Sequence, residues 1–414
     1  MRKKAAFNEE KYVLDLITRI VHEAPRRQPT SPDELKASQI VEEEFRKLSL
    51  QIREHKFRFN DNLYANLALH FGLGSSATMI SGILPALAMA IHASVGLSYL
   101  LESTRKAYLL RKIFPFKQSR NIMGILPAKG PAVLRIVVLA HVDAAFTGLM
   151  FKESVVKLMN SADSQSMAFL HRGLALATWT QLSLAGFDAL RILFGPLTLP
   201  LRPLEYFLNL PALITFALNL DLLARNKIVP GANDDLSGVA ALPVLAERFA
   251  GKKPENVEII FTATGCEEAS LGGCDSLVRD MEGTWSRKDT VFVALDCLTN
   301  GKLYYLHPEG EVVPTPVPSW LRDTISRLGE KDGIEKVEPF QPPVGGSDIA
   351  AVLARGYDGV CLTCVQEDLG SPRYYHLPTD SPENLDMNRL MQSIDFAERL
   401  IEGIIDYRLE GNKS

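Results

Sequence analysis

Leu134-Arg135-Ile136-Val137-Val138-Leu139-Ala140-His141-Val142-Asp143 is the run on which the reading of the fold turns. A nearly unbroken apolar stretch of this length reads as a strand buried on both faces, the habit of parallel sheets covered by helices. It stops at an imidazole, with a carboxylate two residues on. Open α/β sheets gather their chemistry at the carboxyl ends of such strands. Residues 121–126, 257–263 and Thr290–Leu295 are further compact apolar runs, and Gln51–Phe59 alternates as a strand does. Helical patterns lie between several of them, at 238–249 and Ser319–Leu328. Upstream, Tyr12, Leu14, Leu16, Ile17 and Ile20 mark one amphipathic helix. Residues 31–48 make a second, with Pro32 in its first turn. Together these predict an α/β fold, a mixed, largely parallel central sheet flanked by helices.

The 414 residues suffice for one large core or two modest ones. Lys+Arg 45 against Asp+Glu 49 gives a net charge of −4, so no basic field recommends nucleic acid as a partner. Cys266, Cys274, Cys297, Cys361 and Cys364 are odd in number, and most sit in apolar strand-like runs. Cys361 and Cys364 form a CxxC, but three residues apart on a strand they point to opposite faces and do not converge on a metal. Free buried thiols in a reducing compartment are the expectation. Met1-Arg2-Lys3-Lys4 is followed closely by Asn8-Glu9-Glu10-Lys11, which does not read as a secretory signal.

Hydrophobic residues reach 46% and mean hydropathy is +0.03, with the excess concentrated in two insertions. These divide the chain into a catalytic domain (1–70, 113–144 and 228–414), a hydrophobic insertion at 71–112 and a hydrophobic helical insertion at 145–227. Residues 75–101 are long enough to span a bilayer. Residues 173–193 and 206–223 supply two more candidates, able to form a hairpin that turns near 196–203. Because His141 lies between the insertions, each must cross a membrane an even number of times or not at all. The first therefore needs two short arms meeting at Pro85, or lies in the interface. Asp188, Arg191, Asn209, Asn219 and Asp221 favour a soluble lid or a dimerisation face, since polar groups are costly in lipid. The basic cluster Arg105, Lys106, Arg111, Lys112, Lys117 and Arg120 favours a membrane surface with a cytoplasmic catalytic domain. Membrane association is the expectation, with a cytoplasmic protein as the alternative and a homo-oligomer allowed.

Four further motifs carry chemistry. Pro230-Gly231-Ala232-Asn233-Asp234-Asp235-Leu236-Ser237-Gly238 joins a Gly-rich turn to paired acids and a helix that opens on small residues. Thr264-Gly265-Cys266-Glu267-Glu268 puts two carboxylates directly after a strand, where they repel unless a cation or proton is shared. One could bind metal while the other takes a proton from water. Asp296 ends the strand Thr290–Leu295. His376 lies in Tyr374-Tyr375-His376-Leu377-Pro378-Thr379-Asp380. Singly, each has an ordinary explanation, such as an Asp helix cap or a solvated acidic turn.

As an ordered set, however, they resemble the M28 family of zinc metallo-exopeptidases, whose motifs and intervening elements cover most of the chain outside the insertions. The resemblance implies a zinc-exopeptidase fold and two zinc ions. Asp234 would bridge them, His141 and Asp296 would complete one ion's ligands, and Glu268 and His376 the other's. It implies Glu267 as general base on a metal-bridging water, Asp143 orienting His141, and Tyr375 as oxyanion donor. Asp380 is a candidate partner for His376. Ser347-Asp348 falls where the family has a Ser-Asp turn, but Ile349-Ala350 follows where Ser-Asp-His is common, which bears on substrate contacts.

The expected activity is hydrolysis of short peptides by an aminopeptidase or dipeptidase. The alternatives are a glutaminyl-cyclase-like single-zinc acyltransferase and a non-catalytic membrane protein on the same fold. Retention of both histidines favours two metals, and a silent relative would typically have lost ligands. Glu309, Glu311, Asp348, Arg355 and Arg373 are candidate wall residues. The apolar insertions could admit a hydrophobic or lipid-attached peptide.

Overall fold

A computed structural model describes residues 8–160, 172–252, 255–331, 333–342 and 345–411. Eight strands form one sheet: β1 (Gln51–Phe59), β2 (Lys117–Leu126), β3 (Leu134–His141), β4 (Val257–Thr264), β5 (Thr290–Leu295), β6 (Lys302–Leu306), β7 (Glu338–Phe340) and β8 (Asp358–Val365). Their order is β1-β2-β4-β3-β5-β8-β6-β7. The central β4-β3-β5-β8 block is parallel throughout. On one side β2 joins antiparallel and brings β1 with it, and on the other side β6 joins antiparallel. The sheet is therefore mixed and largely parallel, as its apolar runs predict.

Helices α1 (Glu9–Glu23) and α2 (Pro32–Lys47) precede the sheet. Asn8 and Ser31 cap them by accepting hydrogen bonds from the N–H groups of Lys11 and Glu34. Helices α3 (Leu63–Ile80), α4 (Pro85–Ser103), α5 (Glu153–Asn160), α6 (Gly173–Phe194) and α7 (Arg202–Arg225) come from the two insertion regions. Then follow α8 (Leu236–Lys252), α9 (Gly272–Met281), α10 (Ser319–Leu328), α11 (Asp348–Ala354) and α12 (Met387–Gly411). One apolar core joins the sheet to α1, α2 and α8 through α12. The five cysteines are buried and free, and Cys361 and Cys364 lie within β8 as expected.

The insertions pack together as a bundle: α3 on α7, α4 on α6, and α6 on α7. Residues 75–101 do not make a single span. Helix α3 stops at Ile80 and α4 starts at Pro85, a residue that suits a helix's first turn and cannot continue α3. The hairpin's arms are nonetheless long, because Asn62 caps α3 well ahead of residue 71. Helices α6 and α7 form the second hairpin through a 3₁₀ turn at Gly195–Leu201. Part of that insertion, 161–171, lies outside the described residues.

The polarity of this bundle is reversed. Asp188, Arg191, Glu205, His92 and Gln181 are buried, whereas Ile83, Leu193, Leu197 and Phe207 face outward. Most of the large exposed apolar side chains among the described residues belong to these four helices. Pro85–Ser103 and the stretch Gly173–Arg225 are long and apolar enough to cross a membrane. The expected basic surface cluster is there only in part: Lys106, Lys112 and Lys117 are exposed, while Arg105 and Arg111 are buried and Arg120 is half-buried. Arg105 bonds Ser270, Arg111 pairs with Glu102, Arg120 reaches Glu54, and Lys117 pairs with Asp61. Local acids and carbonyls absorb the charge of these four, which leaves Lys106 and Lys112 as the basic residues of the cluster facing outward.

Candidate metal centre

The parallel registry assembles the site. His141, the last residue of β3, lies beside Thr264, the last of β4, and β5 runs along the other edge of β3. The chain leaving β4 carries Glu267 and Glu268, and the chain leaving β5 starts with Asp296, so four side chains from distant sequence meet at one sheet edge. Asp234 arrives from the turn before α8. That turn needs Gly231, whose φ is +60°. Gly238 explains why α8 opens on small residues, because a Cβ there would stand 2.2 Å from the carbonyl oxygen of Leu295.

Asp234 divides its carboxylate between the two imidazoles. Its Oδ1 lies 3.2 Å from His141 Nε2 and its Oδ2 lies 3.1 Å from His376 Nε2. Glu268 Oε1 is 3.4 Å from the same His376 nitrogen, and Glu267 Oε2 is 3.9 Å from His141 Nε2. His141, Asp234 and Glu268 form one group spaced to hold a cation, and Asp234, Asp296 and Cys297 another. Tyr375 lines the same cavity, its ring 3.9 Å from that of His376.

The electrostatics call for positive charge. Burial drives the Glu267 carboxyl well above its ordinary range; His141 opposes this and Glu268 adds to it. Glu268 is raised in the same way, by burial and then by Asp234. Burial works against a charged His141, yet Glu267, Asp143 and Asp234 push its pKa well up. Asp234 goes the other way, because the two histidines outweigh its burial and hold it below the usual carboxylate range. Asp234 Oδ2 and Glu268 Oε1 are also buried without a hydrogen bond, though each approaches His376 closely. Lone pairs left out of hydrogen-bond alignment in a buried acidic cluster suit a shared cation. Imidazole nitrogens mixed with carboxylate oxygens are a donor set that zinc accepts.

Neighbouring groups hold these residues in place. The Asp143 carboxylate accepts the backbone N–H groups of Glu267 at 3.1 Å and Glu268 at 2.9 Å, and its Oδ1 is 3.6 Å from His141 Nδ1. Asp380 does not face His376. Its oxygens accept the backbone N–H groups of Asn233 at 2.7 Å and Asp234 at 3.1 Å, and burial first of all raises its pKa to about 8. His376 Nδ1 instead lies 3.5 Å from the hydroxyl of Tyr64, on α3. Of the candidate wall residues, Glu311 lines the cavity. Glu309 accepts from Ser347, Asp348 from Thr264, and Arg355 is bound to Asp275, so their partners turn them away from substrate. Arg373 stacks on Tyr374.

Three positioning residues escaped the sequence reading. Asp235 accepts from the backbone N–H groups of His141, Gly238 and Cys297, and so ties together the ends of β3 and β5 and the start of α8. Its place beside Asp234 was the available signal. Arg27 is fully buried and donates to the carbonyls of Ala24, Val142 and Pro230. Nothing in Arg26-Arg27 distinguishes it from a surface cation. Tyr64 belongs to an apolar helix whose docking on the site is a tertiary event.

Residues 215–401 match the family model described as peptidase family M28. This part of the chain is an M28 peptidase domain. The matched segment contains Asp234, Glu268, Asp296 and His376, and the fold adds His141 from upstream. No curated protein matches the chain in sequence. Among solved structures it resembles BSAP, a zinc aminopeptidase from Bacillus subtilis, with TM-score 0.56 and 16% identity over 95% of this chain and 94% of that one. The aminopeptidase from Aneurinibacillus sp. strain AM-1 gives 0.55 and 14% over 95% and 93%. The glutaminyl cyclase of Bacteroides thetaiotaomicron gives 0.54 and 13% over 95% and 97%. Identities this low establish a shared fold, and the family match adds that residues 215–401 are of the M28 peptidase type.

Proposed function

We propose that the chain is a two-zinc aminopeptidase seated in a membrane through α3, α4, α6 and α7. The observation that carries this is the division of Asp234 between His141 and His376, which suits one carboxylate shared by two ions. His141 and Asp296 would serve one ion, and Glu268 and His376 the other. Bound zinc supplies Lewis acidity toward the scissile carbonyl and lowers the pKa of water. Glu267 accepts the proton of the attacking water and returns it to the departing amine. Asp143 keeps Glu267 aimed by gripping its backbone N–H. The Tyr375 phenol donates toward the oxygen on which negative charge develops.

The cavity's lining supports amino-terminal specificity. Asp234, Glu267, Glu268, Asp296 and Glu311 line it, and no Lys or Arg does so among the described residues. With Asp234, Glu268 and Asp296 committed to zinc and Glu267 to proton transfer, Glu311 is the carboxylate left in the wall for a substrate ammonium. The bundle supports the membrane seat by its reversed polarity and its length. Helix α6 has 22 residues and α7 has 24, which at ~1.5 Å per residue matches a hydrocarbon layer of ~30 Å. Two hairpins return the chain each time to the side that holds the metal ligands.

Metal analysis and a peptide screen test this reading. Two zinc ions per chain, cleavage of free N-termini alone, and a roughly 10³-fold loss of turnover in Glu267→Gln with zinc content unchanged are the expected results. Robust cleavage of N-acetylated peptides would overturn it. One zinc per chain with cyclisation of N-terminal glutamine would install the acyltransferase instead.

A further inference from the structure

The catalytic carboxylates open into a cavity of about 280 Å³ whose far wall belongs to the bundle. Leu63 and Leu67 of α3, Leu174 of α6, and Pro211, Ile214 and Leu218 of α7 form that wall. Ile214 is also 44% exposed. An apolar groove formed by α3, α6 and α7 therefore runs on from the carboxylates. At its inner end Glu311 is held by the hydroxyl of Tyr99 at 2.7 Å and by Arg105 at 3.6 Å, which fixes a carboxylate in the cavity wall.

We infer that the preferred substrate is a short, strongly apolar peptide with a free N-terminal ammonium, its side chains lying along the groove wall formed by α3, α6 and α7. This rests on the membrane-seated aminopeptidase reading above. The acidic end of the cavity recognises the ammonium, and the leucine-lined groove takes the apolar side chains. A long-chain amide ending in a carboxylate lacks a cation to meet it among the described lining residues. A polar peptide would leave its own groups facing Leu63, Leu67 and Leu218, unpaired. Peptides of the favoured kind are what cleavage of membrane-spanning segments leaves behind, so the reaction class that supplies them is proteolysis within or beside the bilayer.

Equilibrium binding separates this inference from the catalytic one. The probes are two fluorescent hexapeptides of equal length with free N-termini, one built of Leu, Val and Phe and one of Ser, Gly and Gln. They are titrated into zinc-loaded full-length Glu267→Gln protein in lipid nanodiscs, with empty nanodiscs subtracted. The apolar peptide should bind about tenfold tighter or better, and N-acetylation should weaken it. Ile214→Asn and Leu218→Asn, at half-exposed positions where the fold tolerates a polar group, should shrink the preference to about threefold or less. Equal binding of the two peptides, or a preference that survives both substitutions, overturns the groove. A preference that holds while wild-type protein cleaves neither peptide supports the groove and fails the aminopeptidase.

Discussion

At the metal centre, Asp143, Asp234, Asp235, Glu267 and Glu268 crowd around two imidazoles, His141 and His376. In the bundle, Asp188 and Glu205 are buried against Arg191, Arg202 and His92. Arg191 pairs with Glu205 and with Ser81, while Arg202 adds a 2.7 Å contact to Glu205 and His92 a 2.7 Å contact to Asp188. Both regions remove several charges from water, and they differ in how the account closes. The bundle carries its own cations, so its buried acids are paired with charge from the chain itself, although Gln181 Oε1, Arg191 Nε and Asn219 Oδ1 are buried without a hydrogen bond. The metal site has an excess of acid, with no Lys or Arg lining its cavity among the described residues, so its charge balance is completed from outside the chain. A self-neutralised cluster holds a structure together; an unbalanced one is built to receive something.

Removing zinc tests the unbalanced side and should have the largest effect. Chelation should abolish turnover and lower the unfolding free energy of the M28 domain by about 4 kcal/mol at saturating initial zinc, both restored on adding zinc back. Calorimetry and activity on one sample check this together. A domain equally stable with and without zinc would mean that the carboxylates are neutralised by protons, and the contrast with the bundle would disappear.

The balanced side is tested by unbalancing it. Arg191→Met leaves Glu205 with Arg202 alone and Asp188 with His92 alone, one cation short in a buried setting, and should cost about 3 kcal/mol of stability. The double variant Arg191→Met, Glu205→Leu removes both partners and should recover much of that loss, although Arg202 then loses its acid. Thermal unfolding in detergent gives both values. If the single variant unfolds like wild type, the pair is not desolvated and the bundle's interior is wet.

The same contrast marks what could be read from the sequence. Strand runs such as residues 134–141 are apolar on both faces, so burial and strand ends were legible, and with them His141, Glu268 and Asp296 at one sheet edge. Helix starts at Pro32 and Ser319 were legible for the same reason: local propensity and tertiary packing agree there. The bundle was legible in its apolar excess but not in its orientation. Asp188 and Arg191 looked like solvent-facing residues because their partners, His92 and Glu205, lie on other helices. Arg105, Arg111 and Arg120 looked like a surface patch because Ser270, Glu102 and Glu54 are brought to them only by folding. Charge pairing across elements leaves no periodic trace, so Arg27 and Asp235 were missed as positioning residues.

The smallest effect on folding should come from the bundle's outer surface, and there the smallness itself is the test. Leu193 is 74% exposed and Phe207 66% exposed, so neither contributes much packing. Replacing both with Ser should change unfolding in detergent by no more than about 0.5 kcal/mol. If lipid covers this face, the same change should shift the protein measurably from the membrane pellet to the supernatant, because each substitution removes apolar area that the bilayer would otherwise bury. Stability and partitioning therefore come apart at these positions, whereas at Arg191 stability falls. A soluble lid predicts a different pairing: wild-type protein in the supernatant without detergent, and serine variants that differ from it in neither measurement. Fractionation of wild type and variant side by side decides whether the apolar exterior meets lipid or water.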